Sequence, residues 1–177
     1  ETDVGQLEFQ DYFVRRRCVP VMRSLAFEGA ARARALPAAL AALTDPRLEA
    51  IVLCPSNPYV SVAPLLAVED LRRRIARRRV PLVAVSPIVA GRAIKGPAAK
   101  MMMELGVEAT ALGVARHYLG VIDGLLIDEA DRLLAPAIAG LGLAVDVTDT
   151  IMRDAAGRRR LAQATLAFAR GLHAPLG

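Results

Sequence analysis

Lys95 and Lys100 are the only lysines among the chain's 23 basic residues; every other positive side chain is arginine. Both fall in one segment, Ser86-Pro-Ile-Val-Ala-Gly-Arg-Ala-Ile-Lys-Gly-Pro-Ala-Ala-Lys100. A compact ammonium in a loop bounded by Gly91 and Gly96 suits a phosphate that must be approached closely. The glycine spacing is not that of a P-loop, because Gly96 is followed by Pro97 and not by Lys-Ser or Lys-Thr. The plainer reading is one loop lysine and one helix-surface lysine without a ligand.

Two further stretches carry polar, turn-forming residues directly after apolar runs. Pro55-Ser56-Asn57-Pro58 follows Ala50-Ile51-Val52-Leu53, and Thr148-Asp149-Thr150 follows Leu143 to Val147. With Ser86-Pro87-Ile88 after Pro81 to Val85, three such loops stand at the ends of strand-like runs. In a parallel sheet those ends share one edge, where ligands bind. Hydroxyls and an amide there can meet phosphate oxygens or a base edge, and the N–H groups of a following helix favour anions. Taken singly, each loop is equally an Asx-type turn punctuated by proline. In the first two of these loops along the chain and in the lysine segment, the candidate binding residues are Ser56, Asn57, Pro58, Ser86, Pro87, Ile88, Lys95 and Gly96.

Other chemistry-bearing residues give weaker signals. Asp123, Asp128, Glu129 and Asp131 surround a third strand-like run, where carboxylates can hold Mg²⁺ or simply partner a helix start. His117 has no serine or cysteine partner at a readable distance, and His173 lies in a C-terminal tail. Met101-Met102-Met103 reads as core filling. No catalytic residue and no metal ligand can be named from these patterns.

The elements that would position these loops alternate along the chain. Strands are expected at Val19 to Phe27, Ala50 to Cys54, Pro81 to Val85, Leu125 to Ile127 and Leu143 to Val147. Helices are expected at Pro37 to Leu43, Val62 to Arg79, from Gly96-Pro97 to Leu105, from a Thr110 cap to Tyr118, and from Gly157 to Arg170. Strands separated by helices imply parallel pairing with right-handed crossovers. The fold class is α/β: a Rossmann-like three-layer αβα arrangement on a mainly parallel sheet, one domain portion over residues 1–177.

Composition agrees with a folded domain: 54% of the 177 residues are hydrophobic and 23% charged. No apolar run approaches the roughly 18 residues that span a membrane, no signal-peptide pattern opens the chain, and Cys18 and Cys54 make no disulfide framework. A cytoplasmic protein without a membrane partner is expected. The net charge of +5 is concentrated in arginine runs, the largest from Arg72 to Arg79. These read as a solvated helix face; no aromatic residue is interleaved there, so nucleic acid is not the expected partner.

Phe9-Gln-Asp-Tyr-Phe-Val14, Pro55-Ser-Asn-Pro58 with Ser61 and Pro64, Ser86-Pro-Ile-Val89 with Lys95-Gly-Pro97, and Thr148-Asp-Thr-Ile-Met152 occur in an order that resembles the 2-phospho-L-lactate transferase family. These enzymes complete the core of the deazaflavin coenzyme F420. The resemblance implies a magnesium-dependent transfer from a guanosine diphosphate-linked lactate or enolpyruvate to the deazaflavin Fo, with release of GMP. It implies that Ser56, Asn57 and Pro58 line the guanosine diphosphate end and that Ser86, Lys95 and Gly96 meet phosphates or the donor. It also implies a homodimer when full length. The family's N-terminal strand and Gly-rich loop have no match here, so the chain is expected to be the C-terminal part of a longer transferase, inactive alone. The alternative is a nucleotide-sugar-binding regulatory protein of related fold that turns nothing over.

Overall fold

The computed structural model describes residues 1–172, so His173 lies outside the described residues. Along the chain come α1 (Pro37–Ala42), β1 (Ile51–Leu53), a π-helical turn over Pro58–Val62, α2 (Ala63–Leu66) and α3 (Glu69–Ala76). Then follow β2 (Leu82–Val85), a short hairpin of β3 (Ile88–Val89) and β4 (Arg92–Ala93), α4 (Ala98–Glu104) and α5 (Ala111–His117). The chain continues with β5 (Gly124–Asp128), a 3₁₀ turn over Glu129–Leu134, α6 (Ala135–Ala139), β6 (Ala144–Thr148) and α7 (Ala155–Gly171).

One sheet has the order β1-β2-β5-β6, and every neighbouring pair is parallel, with Ile51 opposite Leu82, Val83 opposite Gly124 and Gly124 opposite Ala144. The central strands β2 and β5 are buried along their whole length, as their continuous apolar runs require of strands covered on both faces. Side chains alternate between the two faces. Leu82, Ala84, Leu125 and Ile127 pack with Met101, Met102, Val114 and Ala115 of α4 and α5. Val83, Val85 and Leu126 pack with Leu161 and Ala169 of α7.

The strand order advances in one direction only. Right-handed crossovers therefore put the helices that connect successive strands on the same face. α7, which follows the last strand, crosses back over the other face, burying Gly157, Leu161, Thr165 and Ala169 at four-residue intervals. The result is the expected αβα layering.

Two local expectations fail. The strand expected over Val19 to Phe27 is not formed: an isolated bridge joins Met22 to Thr2, and Val19 is 76% exposed while Met22 is 3% exposed. Arg17 and Cys18 both take positive φ, at 50° and 56°, which turns the chain just before the run, and Pro20 has no N–H to donate. The helix expected from Val62 to Arg79 is split, with Val68 extended between α2 and α3. Asp70, in the first turn of the second piece, ties it to an earlier segment by accepting the Ala35 N–H at 3.1 and 3.2 Å.

The caps read from the sequence are present. The Thr110 side chain accepts the Gly113 N–H at 3.0 Å. Gly106, at φ +74°, closes α4 as Val107 N–H donates to the Met102 carbonyl at 2.8 Å. Of the three consecutive methionines, Met101 and Met102 are core and Met103 is exposed.

Candidate functional site

Because the four strands are parallel, their carboxyl ends share one edge of the sheet. Four loops leave that edge: Cys54 to Asn57, Ser86 to Gly96, the turn beginning at Asp128, and the loop from Asp149 to Asp154. Among these four strands the order contains no reversal, so no crevice formed by a change of direction lies between them. The loops have to be gathered by side chains instead.

Two buried aspartates gather three of them. Asp128 accepts the Ala130 N–H at 3.0 Å with one oxygen, and the Thr150 N–H and hydroxyl at 2.8 and 3.0 Å with the other. It thereby caps its own turn and holds the loop after β6. Asp131 accepts the Ala90 N–H at 3.2 and 3.1 Å, holding the tip of the β3–β4 hairpin. Ala90 sits there at φ +48°, a conformation that a non-glycine residue adopts only when neighbours hold it. Burial raises the Asp131 pKa, against the lowering effect of the Ala90 N–H, and the nearby Asp128 raises it further. The sequence reading treated these carboxylates as helix-start or metal candidates; their work in joining three strand-end loops was missed. An Asp closing one strand with a second Asp three residues on was the available signal.

The expected site residues fall into two groups. Asn57 caps the turn that follows it: its Oδ1 accepts the Tyr59 and Val60 N–H groups at 2.9 and 3.3 Å, and its Nδ2 donates to Met101 Sδ at 3.1 Å. Pro58 is buried in that turn. Ser86 is buried, its hydroxyl donating to the Ile88 carbonyl at 2.9 Å and accepting the Ile88 N–H at 3.2 Å; Pro87 and Ile88 are buried too. These five side chains face inward. Ser56 is half-buried, Lys95 and Gly96 are exposed, and neither the Ser56 hydroxyl nor the Lys95 ammonium has a hydrogen-bonding partner among the described residues. Gly96 takes φ +72°, a backbone only glycine enters freely.

α4 meets both the Asn57 turn and the loop that carries Lys95. Asn57 reaches Met101 in that helix, the turn over Pro58–Val62 and β4 both pack on it, and the loop carrying Lys95 and Gly96 leads into it. Lys100, on α4 itself, is used differently: its Nζ donates to the Pro20 carbonyl at 2.9 Å and pairs with Glu104. Glu104 in turn accepts the Met22 N–H at 3.0 Å. Lys100 thus anchors the N-terminal segment, and Lys95 is the lysine left exposed near the strand ends.

His117 lies between the rings of Tyr59 and Tyr118, at centroid distances of 4.8 and 5.1 Å, and burial lowers its pKa. Asp149 is held below the usual carboxylate range, first by the Ile151 N–H and then by Arg153 and Arg160. Among the described residues no group of three or more His, Cys, Asp or Glu side chains is arranged to hold a metal ion. No described helix is long and apolar enough to cross a membrane. Two cavities, of about 720 and 660 Å³, are lined by residues other than Asn57, Ser86 and Lys95.

A family model described as "2-phospho-L-lactate transferase CofD" matches residues 1–149. The chain is 37% identical over 169 residues to the 2-phospho-L-lactate transferase of Methanopyrus kandleri, covering 94% of this chain and 52% of that protein. It is 34% identical over 169 residues to the phosphoenolpyruvate transferase of Streptomyces griseus, covering 95% of this chain and 52% of the relative. The 2-phospho-L-lactate transferase of Haloarcula marismortui is 37% identical over 163 residues, covering 92% of this chain and 46% of the relative. The chain therefore spans about half the length of the curated relatives it matches. With its parallel sheet, its αβα layers and this extent of similarity, the chain belongs to the 2-phospho-L-lactate transferase CofD family.

Proposed function

We propose that the complete protein transfers the phosphate-bearing lactyl or enolpyruvyl group of a guanosine diphosphate-linked donor to Fo. In that step the terminal ribityl hydroxyl oxygen of Fo bonds to the phosphorus that carries the lactyl or enolpyruvyl group. The P–O bond to GMP breaks, GMP leaves, and the hydroxyl proton passes to solvent. The observation that carries the reading is Lys95: an exposed ammonium in a glycine-bounded loop near the shared strand ends, in a chain of this family.

In this proposal Lys95 and the Gly96 backbone meet the diphosphate, where a fixed positive charge counts most as charge moves to the leaving phosphate. Ser56 offers its free hydroxyl to the guanosine diphosphate end. Asn57, Pro58, Ser86, Pro87 and Ile88 act by shaping the two loops, since their side chains serve the fold. Mg²⁺ would supply further counter-charge on the diphosphate. The described residues offer no ready-made set of three ligands for it, so no ligand is assigned and no step is derived through it. A cytoplasmic homodimer acting on small molecules, with neither nucleic acid nor membrane as partner, completes the proposal.

The test is product analysis by mass spectrometry with the complete protein, Fo and each GDP-linked donor. Phospholactylated or enolpyruvylated Fo and GMP should appear in equal amounts. Lys95→Ala should lower kcat/KM by on the order of 10²-fold, and the 177-residue chain alone should form no product. Absence of transfer by the complete protein with both donors sinks the proposal. Tight UDP-sugar binding without turnover would replace it with the regulatory reading.

A further inference from the structure

At the opposite edge of the sheet, where α1 and α3 end and β1 and β2 begin, the chain builds a charged concavity. The cavity of about 720 Å³ is lined by Arg74, Arg77, Arg78 and Arg79, with Thr44 and Asp45 also in its wall. Within the arginine run, Arg72 and Arg73 pair with Glu69. Arg78 makes a two-bond contact to Asp123, at 2.8 Å to each oxygen. Arg74, Arg77 and Arg79 have no ion pair or side-chain hydrogen bond among the described residues, and all three are exposed.

Charge bookkeeping shows what is missing. Asp123 cancels one of the four guanidinium charges, and Asp45 is already taken by Arg47 at 2.8 Å. The carboxyl ends of α1 and α3 supply about half a negative charge each. About two positive charges remain in surplus around one concavity. The Arg78 side chain is only 9% exposed, and its Nε is buried without an acceptor. A solvated helix face would have let these charges spread apart; here they gather round a hollow.

We propose that this cavity binds a small phosphate-bearing anion, such as pyrophosphate or a phosphate monoester, independently of the Lys95 site. Guanidinium forks match phosphate oxygens in pairs. The volume lies within the roughly 300–1,000 Å³ typical of small-molecule sites. No aromatic residue lines the hollow, as a single-stranded nucleic-acid groove would require.

Calorimetry with inorganic pyrophosphate at fixed ionic strength tests it on the complete protein. An Arg74→Gln/Arg77→Gln/Arg79→Gln variant should bind about 10-fold or more weakly, with no lower melting midpoint in the absence of ligand. Lys95→Ala should retain this binding, and Arg158→Gln/Arg159→Gln on α7 should match wild type. If the triple variant melts lower, the three single variants should show the same loss in smaller steps. The proposal is overturned if wild type does not bind pyrophosphate or if the triple variant binds it as wild type does. It is equally overturned if the α7 variant loses as much affinity, if Lys95→Ala abolishes all binding, or if only an acidic peptide or RNA binds.

Discussion

The two edges of the sheet manage charge in opposite ways. At the carboxyl ends, Asp128 and Asp131 point inward and accept backbone N–H groups, so negative charge organises the loops. Arg153 and Arg160 pair with Asp149 there, while the Lys95 ammonium is exposed and has no carboxylate partner among the described residues. At the amino ends a carboxylate holds a cation: Asp123 takes Arg78 and also accepts the Leu82 N–H at 2.7 Å. Three more arginines crowd beside that pair. One edge therefore uses buried acid as scaffold for its loops; the other uses an ion pair as scaffold beneath surplus base.

The sharpest way to break this contrast is to remove the scaffold acid at each edge. Asp123→Ala leaves a guanidinium more than nine-tenths buried without its partner, which should cost about 3–5 kcal/mol of stability. Asp128→Ala leaves N–H and hydroxyl donors unsatisfied, with no buried countercharge among its hydrogen-bonding partners, and should cost about 1–3 kcal/mol. Urea unfolding of both variants decides it. A larger loss at Asp128 than at Asp123 would show that the amino edge is not held by its ion pair.

The lysines give a second, smaller comparison. Lys100→Ala removes the donor to Pro20 and the partner of Glu104, and should destabilise by about 1–2 kcal/mol. Lys95→Ala should change stability by less than about 0.5 kcal/mol, while in the complete protein it should lose more activity than Lys100→Ala. Equal effects of the two on both measurements would remove the distinction between an anchoring and a binding lysine.

How much of this was legible in the letters depends on how local each cause is. Leu82 to Val85 and Leu125 to Ile127 are apolar runs that only a strand covered on both faces explains, and they form as expected. Thr110 and Gly106 act within five residues, and both caps appear. Val19 to Phe27 has strand-like composition, but a strand needs a partner along its length, and among the described residues the run has only the single bridge from Met22 to Thr2. In the candidate site, Asn57 before Pro58 is a local cap signal, and its side chain caps the turn that follows. The hydroxyl of Ser86 folding onto Ile88 is likewise local. The ties from Asp131 to Ala90 and from Lys100 to Pro20 cross 41 and 80 positions, and no spacing rule reaches that far.

The smallest expected effect concerns the acid that holds the hairpin tip. Burial raises the Asp131 pKa in the folded protein above its unfolded value, which is about 3.9 for an aspartate. Between the two values the folded state binds the proton more tightly, so Asp131's contribution to stability declines as pH rises through that window. Asp149, whose folded pKa is lowered, contributes with the opposite sign: its stabilisation is present above the unfolded value and lost as pH falls. Raw stability curves mix the two, so the informative quantity is the wild-type stability minus that of Asp131→Asn across acidic pH. That difference should fall with rising pH over the interval just above the unfolded aspartate value and be level at higher pH. A difference that rises with pH there would mean that the Ala90 N–H outweighs burial, and that the ionised carboxylate is the form the hairpin prefers.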